Sequence, residues 1–143
     1  MAIAAQPPRG GIIAEVGGKS RPLLLRNAEI ERFEAQHNIG IFAVGRWLWE
    51  NSEKLQARHL RDLVALGLVG GGLPDRAADD IIAALPPSEN TTLRTIAVDL
   101  VTIAFLPENA EKKSVEAGSS KKKSQKATSG ASQSASAKQS QPD

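Results

Sequence analysis

Four glycines crowd one short stretch of this chain, LGLVGGGL: Gly67, Gly70, Gly71 and Gly72. A glycine-rich run can cradle a phosphate when it follows a strand, opens a helix and closes on a Lys-Ser or Lys-Thr pair. Here the preceding residues Leu60, Leu63, Val64 and Gly67 fall on one helical stripe, so a helix leads into the glycines rather than a strand. No Lys, Ser or Thr follows them; Pro74-Asp75 does, and then a second helical pattern through Ala77, Ala78, Ile81, Ile82 and Leu85. The run therefore reads as a helix stop. Gly70 to Gly72 would supply the positive φ of a C-cap, and Asp75 the N-cap acceptor of the next helix. Nucleotide chemistry is not expected.

The remaining chemistry-bearing residues give no constellation either. His37 and His59 are the two histidines. Neither is spaced to a second ligand as a metal site requires, so both are read as helix-end or surface residues. Asp79 and Asp80 are adjacent, and neighbours on a helix diverge by about 100°, too far to share one substrate. No serine stands in a nucleophile-elbow context. With no cysteine, disulfides and thiolate metal sites are excluded. The expectation is a protein without enzymatic activity, cofactor or metal.

The elements that would position any site come next. Ile12, Ala14 and Val16 alternate, Gly17-Gly18 follows, and Leu23, Leu24 and Leu25 lie on a return segment. That pattern predicts a β-hairpin over about residues 11–25, with Pro22 restricting the return strand to an edge. Asn27 is expected to cap a first helix with Ile30 and Phe33 inward, closed by Asn38 and Gly40. Ile41, Val44 and Leu48 make one face of a second helix, with Phe42 and Gly45 beside it. Trp47 and Trp49 are two apart and cannot share a helix face, so one of them belongs at a rim. Further helices are expected over about 57–69 and 76–85. A last one starts at Ser88, its expected N-cap, and carries the stripe Leu93, Ile96, Ala97, Leu100, Val101 and Ala104. Val98, Ile103 and Phe105 fall outside that stripe, which marks them as candidates to face a partner. Phe33, Leu63, Ile96 and Leu100 should meet in one core.

Composition changes at Pro107. Residues 107–143 hold nine Ser, seven Lys and six Ala, with Val115 as the one large apolar residue. Such a segment cannot offset its ordering entropy and is expected to be disordered. Residues 1–106 carry 11 basic against 12 acidic side chains, whereas 107–143 carry seven lysines against four acids. The excess positive charge thus belongs to the tail and not to a folded basic face, and the tail has no aromatic residue to stack on bases. Lys121–Lys123 are accordingly read as solubilising, and nucleic acid is not an expected partner. No signal-peptide pattern opens the chain and no apolar run approaches about 18 residues, so a cytoplasmic protein is expected. The resulting fold class is α+β: a flexible arm over 1–10, then an N-terminal β-hairpin and about five helices over 11–106, then a disordered tail over 107–143.

The stretch RGGIIAEVGGKSRPLLLRNAEIERFEAQHNIGIFAVGRWL resembles the start of the gene-transfer-agent tail protein family, small phage-type proteins classed with the tail assembly chaperones. Arg9-Gly10, Gly17-Gly18, Leu23 to Arg26, Glu31, Phe33 and Gly40 carry the resemblance. The later segments ARHLRDLVALGLVGGGL, PDRAADDIIAAL and LRTIAVDLVTIAF extend it over about residues 9–106. Two departures stand out: His59-Leu60 interrupts the family's Ala-Arg-Asp-Leu spacing, and the Lys/Ser tail is long. The resemblance implies a chaperone that binds the tape measure protein, keeps that long helical chain soluble and passes it to tail tube subunits in the host cytoplasm. A structural tube or connector protein retained in the virion tail is the alternative, and homo-oligomers are compatible with either. Trp47, Trp49, Val98, Ile103 and Phe105 are the residues expected to hold the partner helix.

Overall fold

A computed structural model describes residues 6–107. The expected tail beyond Pro107 and the first five residues of the arm lie outside the described residues. Strands β1 (Ile12–Val16) and β2 (Lys19–Leu23) form an antiparallel hairpin, followed by helices α1 (Asn27–His37), α2 (Ile41–Glu50), α3 (Ala57–Gly70), α4 (Asp75–Ala83) and α5 (Asn90–Phe105). The α+β architecture expected from the sequence is the observed one.

The hairpin turns where the glycines predicted. Val16 pairs with Lys19 and Ile12 with Leu23. Gly17 and Gly18 both have positive φ, 64° and 83°, the geometry of the tight turn whose twist suits a two-residue hairpin. β2 ends at Leu23, so Leu24 and Leu25 are not part of the strand as expected. The reason is a change of partner. The Leu24 N–H donates to the Gly67 carbonyl of α3 at 2.9 Å, which takes the chain off the hairpin and onto the helix.

α3 is the central element, packing against α1, α4, α5 and β2. It is consequently buried beyond a single stripe: Leu63, Val64, Ala65, Leu66, Gly67 and Leu68 are all inside. Phe33, Leu63, Ile96 and Leu100 do share one core, together with Leu23, Val44, Leu93 and Val101.

The glycine run closes α3, as the sequence indicated, but its members have different tasks. The Leu73 N–H donates to the Leu68 carbonyl and the Gly72 N–H to the Val69 carbonyl. These are the two bonds of a Schellman stop, and Gly72, at φ 122°, supplies its positive φ. Gly70 and Gly71 serve close approach instead. A methyl group on Gly70 would sit 1.8 Å from the Leu24 carbonyl oxygen, and one on Gly71 2.1 Å from that of Pro22. The amides a phosphate would need are already bonded, at the end of a helix whose dipole repels anions.

Three expected caps are displaced by one or two residues. Arg26, not Asn27, precedes α1; its N–H donates to the Glu29 carboxylate at 2.9 Å and its guanidinium at 2.6 Å. Glu29 is 2% exposed, and the Arg26 hydrogen bond holds its carboxyl below the usual carboxylate range. Asp75 is the first residue of α4 and follows Pro74 at the cap; its carboxylate takes an ion pair from Arg32 at 3.1 Å. Ser88 lies within a single 3-10 turn, Pro87–Glu89, and α5 begins only at Asn90. Paired prolines favour that tight turn, since neither can donate a backbone hydrogen bond.

Side chains from neighbouring elements finish the ends of α2. The Ile41 N–H donates to the Glu34 carboxylate at 2.8 Å. At the other end, Arg94 of α5 donates to the Leu48 carbonyl and the Asn51 side chain, each at 2.7 Å. Asn51 itself is left-handed at φ 59°, a conformation asparagine tolerates at helix ends.

In an isolated helix, Gly→Ala stabilises by about 1 kcal/mol. Gly70→Ala and Gly71→Ala should do the reverse here, costing about 1–3 kcal/mol or more through overpacking against β2. Urea denaturation of the two variants checks the sign. Leu100→Ala should cost about 2–5 kcal/mol on the same measurement, as truncation of a fully buried leucine does.

Candidate functional site: an aromatic face on α2 and α5

Among the large apolar side chains, Phe42, Trp49 and Leu106 stand out as exposed, at 76%, 55% and 47%. They gather along α2 and the end of α5. The Phe42 ring lies 5.3 Å from that of Phe105. The Trp49 indole crosses Gly45, where an added methyl group would be 3.7 Å from the ring. Its N–H donates to the Thr102 hydroxyl of α5 at 3.2 Å. The indole is therefore held in place while more than half its surface faces outward.

Of the five residues expected to hold a partner, Trp49 and Phe105 belong to this face. Trp47 does not. It points nearly opposite to Trp49, half-buried, with its ring 6.0 Å from that of His59. Val98 is half-buried and packs on the core. Ile103 is a correction: it is 4% exposed. It follows Ile96 by seven residues, which returns it to within about 20° of Ile96 on the helix, so it continues that buried row. Phe42 was missed as a site residue. Its signal was present, since it stands about 160° from Val44 and about 120° from Leu48 around α2, on the side away from the core.

Between the end of α1 and the start of α3 lies a buried imidazole pair. His37 and His59 do sit at helix ends, but neither is a surface residue: they are 8% and 2% exposed. Their ring centres are 5.1 Å apart, and both pack near Phe33. The Gln56 N–H donates to His59 Nδ1 at 2.9 Å. Since a backbone amide can only donate, Nδ1 is bare and neutral His59 carries its proton on Nε2. His37 Nε2 lies 2.8 Å from the Asp62 carboxylate; a carboxylate accepts, so Nε2 holds a proton, and in the neutral ring Nδ1 is bare. The atoms left over, His37 Nδ1 and His59 Nε2, are buried without partners. One is an acceptor and the other a donor. A metal would need both nitrogens bare, which the Gln56 bond opposes, and no group of three metal-ligating residues occurs among the described residues.

A cleft of about 110 Å³ between α1, α3 and α4 is lined by Arg32, Gln36, Asp62, Asp75 and Asp79. Arg32 is committed to Asp75, and Asp62 to Gln36 and His37. Among the described residues no helix is long and apolar enough to cross a membrane. Compared with protein-family models, with curated proteins and with solved structures, the chain matches none.

Burial lowers the affinity of His59 for a proton, reinforced by His37 and Arg58 and opposed by Asp62. The folded state thus binds this proton less readily than the unfolded chain. Its contribution is full above the ordinary histidine value of about 6.5 and is lost as pH falls below it. Protonation also removes the Nδ1 acceptor from Gln56. Denaturation midpoints should therefore drop between about pH 7 and about pH 5. His59→Asn, which keeps an acceptor but does not titrate, should flatten that drop.

Proposed function

We propose that this chain is a non-enzymatic assembly chaperone of the phage-tail type, holding a helical segment of a tape measure protein before hand-over to tail tube subunits. The observation that carries the reading is the aromatic face of exposed Phe42, Trp49 and Leu106, with half-buried Phe105 against Phe42, on the α2–α5 pair. Contiguous exposed apolar surface of this kind serves partners rather than folding, and two helices side by side offer a groove to the apolar stripe of a third. Trp49 is anchored through Thr102, and a rigid aromatic anchor loses little entropy on binding. The family resemblance supplies the partner's identity. The described sheet has only two strands, which favours a chaperone over a tube subunit, a role that would call for a larger sheet.

Co-expression with the tape measure protein tests this. Phe42→Ser and Trp49→Ser should leave the melting temperature within a few degrees, because exposed positions contribute little to stability. Each should weaken the complex by about 30-fold or more, as loss of an aromatic hot spot does. Wild-type binding with unaffected variants would remove this face from the interaction. Mass spectrometry of purified particles separates the two tail roles: a chaperone is absent, and a tube or connector protein is present stoichiometrically.

A further inference from the structure

The outer side of α2 carries more than aromatics. Its exposed residues are Phe42, Arg46, Trp49 and Glu50, which occupy one continuous arc of about 100°. Arg46 and Glu50 are one turn apart, in the order less suited to pairing within a helix. Neither has a hydrogen bond or ion pair among the described residues. A cation and an anion thus stand free, one turn apart, within an aromatic stripe.

We propose that two copies of this chain pair through α2, antiparallel about a two-fold axis, with each Arg46 opposite the partner's Glu50. A two-fold contact is self-complementary: whatever residue i meets on the other copy, that residue meets i in return. One opposite-charge pair separated by a turn satisfies this condition in the antiparallel arrangement, where both pairs form at once. In a parallel two-fold arrangement Arg46 faces Arg46 and Glu50 faces Glu50. The antiparallel register puts the axis at the level of Leu48, so both Trp49 rings lie beside it at the centre of the contact. Central, well-covered aromatics carry most of the affinity in such interfaces. Arg46 then lies against the opposing indole, where a guanidinium stacks favourably. The pairing covers Trp49, the anchor that the proposed function gives to a tape measure helix, so the two occupants exclude each other. It is a property of the chain alone, however, and its failure would leave the chaperone reading standing.

Sedimentation equilibrium of the full chain over a range of concentrations tests the pairing, with circular dichroism to verify that each variant is folded. The wild type should pass from monomer to dimer with rising concentration. Arg46→Glu and Glu50→Arg, each placing like charges opposite one another twice, should raise the dimer Kd by about tenfold or more. The double variant R46E/E50R should return to within about threefold of wild type, because the swap restores both pairs. Trp49→Ala should weaken the dimer without altering the charges. A wild type that stays monomeric overturns the proposal. So does a double variant as weak as the two single ones, since that result would place the contact elsewhere or in another orientation.

Discussion

The fold depends on how closely a strand backbone can approach a helix. β2 reaches α3 at Gly67, Gly70 and Gly71, where missing side chains let Pro22 and Leu24 come within contact of the helix itself. The Gly67 carbonyl then accepts two hydrogen bonds, from Gly71 within the helix and from Leu24 of the incoming chain, as an oxygen with two lone pairs can. An isolated two-stranded hairpin is marginal in water; this one is stabilised by the helix on which it docks. The same approach carries Leu23 into full burial beside Leu100, both next to the bare Gly67. Hairpin, central helix and last helix therefore meet at one residue.

Glu29 belongs to the same junction. Its carboxylate is buried close to Gly70 and neutralised by Arg26, which precedes α1. A buried carboxylate without such a partner would be strongly destabilising. The junction is thus polar on the α1 side, at Arg26 and Glu29, and apolar on the α5 side, at Leu23 and Leu100.

Much of this was legible in the sequence because periodicity reports burial directly. The hairpin, the five helices and the shared core of Phe33, Leu63, Ile96 and Leu100 followed from alternation, helical stripes and glycine punctuation. The caps at Asn27, Asp75 and Ser88 did not, because several polar residues compete at each helix start and tertiary partners such as Arg32 decide among them. Gly70 and Gly71 read as stop signals, but nothing local announces that the backbone of Leu24 and Pro22, 46 and 49 residues earlier, lies against them. The histidines were misplaced toward the surface because burial of a polar ring depends on partners, Gln56 and Asp62, that become visible only in three dimensions. At the aromatic face the buried side of α5 is one row wider than its apolar spacing suggests, and Ile103 lies inside it. The wheel of α2 held the clearer signal in Phe42.

α2 is secured at both ends by residues outside it: Glu34 at the first turn, Arg94 at the last. A helix of this length is not stable by itself in water, and fraying would normally begin at its termini. With both ends tethered, its outward side chains keep their spacing whether or not anything is bound to them. For the proposed partners the surface would therefore be a fixed template, with selection among them falling to their shape and charge rather than to any adjustment of this protein. Discrimination of that kind would be quick on contact and unforgiving of a misplaced side chain.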